Sequence, residues 1–92
     1  MIARRLVIRG RVQGVGYRDA MVEVARRCGV TGWVRNDLGG TVEAFVQGES
    51  EAVGQLVAWC WRGPRLAGVT EVEMTQEDPD PAQGAFVRRP TR

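Results

Sequence analysis

The sequence GRVQGVGYR, residues Gly10 to Arg18, lies between an alternating apolar run and a run with helical spacing. Three glycines exceed what a simple turn needs, because glycine permits φ > 0 and leaves room for a ligand beside the backbone. Gly14 and Gly16 would let successive N–H groups point at an anion, and the following helix would present its positive dipole end. Arg18 can add a bidentate guanidinium. We therefore predict a site for one phosphate-sized anion. It is formed by a segment that we call the glycine loop, with residues Gln13, Gly14, Val15, Gly16, Tyr17 and Arg18.

Other interpretations of the same stretch are possible. An ordinary strand-to-helix turn is the main alternative. A dinucleotide-binding fingerprint would need a third glycine where Asp19 stands, and a longer chain for a doubly wound sheet. A phosphate loop of the Walker type needs a lysine, and the sequence contains none.

The spacing of apolar residues outward from the glycine loop predicts five strands and two helices. Ile2 to Val12 alternates as a strand, and Arg18 to Cys28 has helical spacing. Ser50 is the expected cap of a second helix that Gly63-Pro64 ends. The remaining predicted segments are strands at 30–37, 41–48, 69–75 and 85–88, a hairpin turn at 38–40 and an exposed loop at 76–84.

The order βαββαβ, with a short extra C-terminal strand, predicts an α+β ferredoxin-like sandwich: an antiparallel sheet covered by two helices on one face. We expect a single domain over residues 1–92. In this topology strands one and two run parallel with strand three between them, so their carboxyl ends lie at one edge, about 10 Å apart. Asn36 ends strand two. We therefore expect it opposite the glycine loop, although the residue type alone is typical of a turn.

Composition restricts the class of function. The 92 residues carry a formal net charge of +2, and all thirteen basic residues are arginines. We attribute this to a GC-rich genome, since a nucleic-acid binder more often shows a strong basic excess. The chain has no histidine, and Cys28 and Cys60 lack metal-ligand spacing, so we predict no metal site and two unpaired thiols. No run approaches the ~20 apolar residues of a membrane span, and we expect a cytoplasmic protein.

Three motifs resemble the acylphosphatase family: GRVQGVGYR at 10–18, GWVRN at 32–36 and GTVEA at 40–44. Members are small ferredoxin-like enzymes that hydrolyse the carboxyl-phosphate bond of acyl phosphates without metal or cofactor. The resemblance implies that Arg18 binds the phosphate and that Asn36 orients the attacking water. It also implies a small-molecule acyl phosphate as substrate and inorganic phosphate as product and inhibitor. We expect a monomer with no nucleic-acid or membrane partner.

Two features depart from the family's pattern. Tyr17 stands where phenylalanine is usual, and we expect its ring to pack while its hydroxyl finds a partner. The chain ends VRRPTR, residues 87–92, where members often have a short apolar or aromatic tail. The role of the C-terminus is therefore left open.

Neither carboxylate beside the motifs is an obvious general base. Asp19 lies at a predicted helix N-terminus, where the dipole favours acids. Asp37 precedes Leu-Gly-Gly and is expected in a turn. Removal of the proton from water is thus left to the substrate or the solvent.

A second class of function is a ferredoxin-like module without catalysis, which binds nucleic acid or peptide on its open sheet face. Trp33, Arg35 and Phe45 would share that face as an aromatic and basic patch. Strand one offers only Ala3 and Val7 there. This composition favours the enzyme.

Overall fold

A computed structural model describes all 92 residues. The elements follow the predicted order βαββαβ, with a short fifth strand. They are β1 (Ile2–Arg11), α1 (Tyr17–Cys28), β2 (Thr31–Asn36), β3 (Val42–Gly48), α2 (Ser50–Arg62), β4 (Gly68–Glu77) and β5 (Val87–Arg88). Neither helix has the length and hydropathy that crossing a bilayer requires.

The five strands form one sheet in the order β4-β1-β3-β2-β5. Strand β3 pairs antiparallel with both β1 and β2, so β1 and β2 run parallel on either side of it, as predicted. Strand β5 pairs parallel with β2, through Trp33 with Val87 and Val34 with Arg88. The sheet is therefore mixed, which differs from the antiparallel sheet that we expected. The reason is that the chain crosses from β4 at one edge to the opposite edge before it pairs again.

Both helices cover one face of the sheet and enclose the main core. The strands contribute Leu6, Ile8, Val34 and Val46, all fully buried. Burying such a side chain contributes roughly 1.5–3 kcal/mol to folding. The helices contribute Tyr17, Met21, Ala25, Val53, Leu56 and Cys60 to the same cluster. Cys60 is buried, Cys28 is partly exposed, and both are unpaired, as predicted.

Most predicted boundaries shift by one or two residues, among them the start of β5, which is at Val87 and not at residue 85. Two of the shifts have a clear structural cause. Ser50 is the first residue of α2 and not its cap, because Glu49 holds the extended cap conformation and its carbonyl accepts the Val53 N–H at 3.0 Å. Strand β4 continues to Glu77, past the predicted end at Thr75, because β1 is long enough to pair Ala3 with Glu77.

The segment after β4 crosses the open face of the sheet and is held there by amide side chains. Gln47, on β3, exchanges two hydrogen bonds with the Asp80 backbone, at 2.7 and 2.8 Å. Gln83 donates to the Gly32 carbonyl at 3.2 Å. These bonds fix the path that brings β5 alongside β2.

Candidate active site

The glycine loop connects β1 to α1, and its backbone adopts the conformation that an anion site requires. Gly14 has φ +74° and Gly16 has φ +80°, both in the left-handed region that favours glycine. A Cβ built on either residue would meet no other atom within 4 Å. Glycine is needed here for its backbone angles, and the space beside each residue is open.

The glycine loop presents unpaired N–H groups. No backbone N–H from Gln13 to Gly16 donates to another atom of the chain. The first helical bond of α1 runs from the Ala20 N–H to the Gly16 carbonyl at 3.1 Å. The N–H groups of Tyr17 to Asp19 therefore have no helical acceptor. Such free donors, together with the positive end of the helix dipole, favour an anion at this position.

Arg18 lies in the first turn of α1, half-buried, and forms no ion pair or side-chain hydrogen bond. Burial lowers the pKa of its guanidinium, the positive charge of Arg88 lowers it further, and Asp19 opposes both. The group stays protonated because arginine does not lose its proton in proteins. A bound anion would offset both the lost solvation and the repulsion from Arg88. Arg18 is thus a free cation beside the unpaired N–H groups.

Asn36 ends β2 and is 8% exposed. Its Oδ1 atom is buried and has no hydrogen-bond partner in the protein. Leaving a buried acceptor unpaired costs roughly 1–3 kcal/mol, so such an atom points to a water or ligand that donates to it. The side chain could also donate from its amide nitrogen.

Arg18 and Asn36 line one pocket, with a volume of about 220 Å³. The topology explains this, because β1 and β2 run parallel and their carboxyl ends lie at the same edge of the sheet. The other lining residues are Val12, Gly14, Gly16, Tyr17, Asp19 and Arg88. The pocket therefore combines free N–H donors, an unpaired cation and an unpaired acceptor.

Two residues of the glycine loop do not line the pocket. Val15 packs against the main core. Gln13 donates from Nε2 to the carbonyl oxygens of Asp37 and Thr41, at 2.8 and 2.9 Å. Its side chain thus joins the glycine loop to the turn that follows Asn36. Sequence reasoning assigned Gln13 to the loop but missed this contact.

Tyr17 lines the pocket but is only 1% exposed. Its hydroxyl donates to the Cys60 carbonyl at 2.7 Å, and its ring lies 5.3 Å from that of Trp59. Burial raises the pKa of the phenol above its usual value. The packed ring and partnered hydroxyl agree with prediction, and Tyr17 fixes α1 against α2.

Arg88 is a pocket residue that sequence reasoning did not single out. It lies on β5, and its Nη1 contacts Asp19 Oδ1 at 2.8 Å. Asp19 therefore has an ionic partner besides the helix dipole. A two-residue strand shows no periodicity, so only the surplus of arginine near the C-terminus could have drawn attention to it.

The C-terminal tail, residues 89–92, pairs with the end of β2. The Arg89 N–H donates to the Val34 carbonyl at 2.8 Å, and the Arg92 N–H donates to the Asn36 carbonyl at 3.0 Å. The Arg92 carbonyl in turn accepts the Leu38 N–H at 2.9 Å. The C-terminal tail thus holds the backbone of Asn36 in place through hydrogen bonds. This is the role of the C-terminus that the sequence left open.

Asp37 forms the expected turn. Its Oδ2 accepts the Gly39 N–H at 2.8 Å, and its own N–H donates to the Thr41 carbonyl at 2.9 Å. The carboxylate is therefore engaged in the β2–β3 turn and does not line the pocket.

The open sheet face does carry the predicted aromatic residues, but they are covered. Trp33 and Phe45 are each 6% exposed. The guanidinium carbons of Arg35, Arg89 and Arg5 lie 4.5, 4.8 and 5.3 Å from the centre of the Trp33 ring. Arg5 and Arg35 both pair with Glu43. Base stacking needs exposed rings and free positive charge, so this arrangement gives no support to the nucleic-acid alternative.

Comparison with known proteins points to one family. The family model named Acylphosphatase matches residues 4–87. The chain is 53% identical over 91 residues to a protein named Acylphosphatase from Acidiphilium cryptum (strain JF-5), with 99% of each chain covered. It is 51% identical over 85 residues to one of the same name from Anaeromyxobacter dehalogenans (strain 2CP-C), covering 92% of this chain and 91% of that one. The crystal structure of acylphosphatase from Bacillus subtilis superimposes with a TM-score of 0.92 at 29% identity, over 97% of this chain and 99% of that one.

Proposed function

This chain belongs to the acylphosphatase family of hydrolases acting on acid anhydrides, and we propose that its chemistry takes place in the pocket lined by Arg18 and Asn36. The family confirms the resemblance seen in the sequence and implies an acyl phosphate as substrate, with phosphate as a product. The roles of individual residues are our proposal.

The phosphate group of the substrate binds to the glycine loop and Arg18. The unpaired N–H groups from Gln13 onward surround its oxygens, and the guanidinium of Arg18 supplies a full positive charge. Charge on the phosphoryl oxygens is thereby neutralised before the reaction starts. Because arginine and amides provide this charge, we propose that hydrolysis needs no metal ion.

Asn36 positions the attacking water. Its buried Oδ1 accepts a hydrogen bond from that water, and the water oxygen attacks phosphorus as the bond to the acyl oxygen breaks. The products are a carboxylate and inorganic phosphate. A carboxylate is a good leaving group, so no side-chain acid is required, and the water proton passes to the phosphate or to solvent. The unpaired Oδ1 of Asn36, in the same pocket as the unpaired N–H groups, is the observation that carries this mechanism.

The decisive experiment compares three reactions of the purified protein. We expect hydrolysis of acetyl phosphate and benzoyl phosphate at unchanged rates in excess EDTA. We expect little hydrolysis of glycerol 3-phosphate, a monoester whose alkoxide leaving group needs a general acid. A loss of rate in EDTA would contradict metal-independent hydrolysis. Equal rates on the acyl phosphates and the phosphate monoester would contradict the mechanism without a general acid.

A further inference from the structure

A shallow groove of about 460 Å³, open to solvent, adjoins the candidate active site along the C-terminal tail. It is lined by Arg18, Arg88, Arg89, Pro90 and Thr91, and we call it the tail groove. Arg18 and Arg88 line both the tail groove and the pocket, so the two spaces adjoin at these side chains. Three of the five lining residues are arginines, and none is acidic.

The position of the tail groove relates it to the acyl part of a substrate. In the proposed function the phosphate is bound by the glycine loop and Arg18. The acyl group extends from that phosphate through a single bridging oxygen. An acyl group that extends past Arg18 therefore enters the tail groove. Arg88 lines both the pocket and the tail groove, so this acyl group lies beside it.

Arg88 has unused binding capacity. Its one ionic partner is Asp19, reached through Nη1 at 2.8 Å, and the two side chains are 45% and 73% exposed. Such an exposed pair is worth little, and the guanidinium keeps further N–H donors for a second anion. Arg18 and Arg88 bring two positive charges together where the two spaces adjoin, and Asp19 is the one carboxylate that lines either space. Burial is the main cause of the lowered pKa of Arg18, repulsion from Arg88 adds to it, and Asp19 opposes it only in part. A second negative group on the ligand would relieve the repulsion between the two arginines.

We propose that Arg88 is a specificity-determining residue that binds a carboxylate on the acyl group, so that the enzyme prefers acyl phosphates derived from dicarboxylic acids. This inference rests on the proposed function. Arg88 can contact such a carboxylate through two parallel N–H groups, a geometry that fits a planar oxyanion better than an uncharged acyl chain. The tail groove thereby serves as the subsite for the acyl group.

The test uses a matched pair of substrates, benzoyl phosphate and 4-carboxybenzoyl phosphate, which differ by one carboxylate. The ratio of their kcat/KM values is measured for the wild type and for Arg88→Gln. Because intrinsic reactivity is the same for both enzymes, the change in ratio isolates the contact with Arg88. We expect the preference for the carboxylated substrate to fall about tenfold in Arg88→Gln, as for the loss of one charge-assisted contact.

Controls separate this contact from general effects. Arg88→Lys should retain part of the preference, because it keeps the charge and loses the second N–H group. Arg65→Gln, at an exposed site outside both cavities, should keep the wild-type ratio. A ratio that is the same in the wild type and Arg88→Gln, with benzoyl phosphate still hydrolysed, overturns the role of Arg88 and leaves the proposed function intact. A wild type that hydrolyses neither substrate overturns the proposed function and this inference with it.

Discussion

Gln13 donates from Nε2 to the carbonyl oxygen of Asp37 at 2.8 Å, and so joins the glycine loop to the residue that follows Asn36. The same nitrogen also reaches the Thr41 carbonyl at 2.9 Å. The phosphate-binding segment and the water-positioning residue come from different strands, and Gln13 is the side chain that connects their loops. We expect Gln13 to keep the bound phosphate aligned with the water that Asn36 positions.

Gln13→Met should therefore lower kcat about tenfold while phosphate inhibition changes little, because a small misalignment costs catalysis more than binding. The fold should be nearly unaffected, since the Asp37 and Thr41 carbonyls also accept backbone N–H groups of the turn. Steady-state kinetics and thermal melts check both expectations. Gln55→Met, at an exposed position of α2, is the matched control. Equal losses of phosphate binding and turnover would mean that Gln13 shapes the loop itself.

Arg18→Gln should lose both phosphate binding and turnover, because the guanidinium contacts the phosphate in the ground state and in the transition state. Phosphate should raise the melting temperature of the wild type through mass action, and this rise should disappear in the variant. Arg65→Gln should retain it. If phosphate still raises the melting temperature of Arg18→Gln, Arg18 does not bind the phosphate.

Asn36→Ala should keep the protection by phosphate while kcat falls by roughly 10²–10³, the range seen when one preorganised hydrogen-bonding group is lost. The removed Oδ1 has no partner in the protein, so its loss breaks no hydrogen bond of the fold. Melts with and without phosphate, beside steady-state rates, distinguish this variant from Arg18→Gln. A near-normal rate would leave Asn36 with a structural role only.

Gly14→Val and Gly16→Val should weaken phosphate inhibition and destabilise the protein by roughly 1–2 kcal/mol each, because L-residues are disfavoured at positive φ. The cost is backbone strain and not crowding within the protein, since the space beside both glycines is open. Gly54→Ala, within α2 and equally uncrowded, should instead stabilise by roughly 0.5–1 kcal/mol. Urea unfolding and circular dichroism measure both effects. If both valine variants are inhibited by phosphate as strongly as the wild type, the glycine loop is an ordinary strand-to-helix turn and not a phosphate site.

Glu43 should make stability depend on acid pH. Burial alone raises the pKa of Glu43, but hydrogen bonds from Arg35 and Arg5 outweigh it and hold the pKa below the usual 4.5. The stabilisation is therefore present above pH 4.5 and is lost as the pH falls and the carboxylate is protonated. Glu43→Gln should lower the melting temperature at pH 7 by several degrees, for a loss of about 1 kcal/mol, and the difference from wild type should shrink in acid. Glu23→Gln, an exposed residue without an ion pair, should show no such trend.

Much of the site follows from local sequence. Gly14 and Gly16 have positive φ, a conformation that glycine permits and that L-residues disfavour. Arg18 follows them in the first turn of α1. Asn36 could be assigned from the sequence only by adding topology, since its residue type by itself is typical of a turn. The start of α2 does not follow from residue type, since serine is a favoured cap and glutamate is not. The backbone path decides it, because Glu49 is extended and its carbonyl accepts the Val53 N–H.

The order of elements and the family follow from the chain's local patterns, because apolar periodicity and short motifs act over a few residues. The positive φ of Gly14 and Gly16 is an expectation that needed the structure to establish it. Tertiary structure alone decided that Gln13 reaches the Asp37 carbonyl, that the Asn36 Oδ1 is buried without a partner, and that Arg88 joins Arg18 in one pocket. These contacts join residues between 24 and 70 positions apart along the chain. The position of Arg88 depends on the free edge of β2, which accepts a strand of only two residues, and no local pattern specifies that pairing.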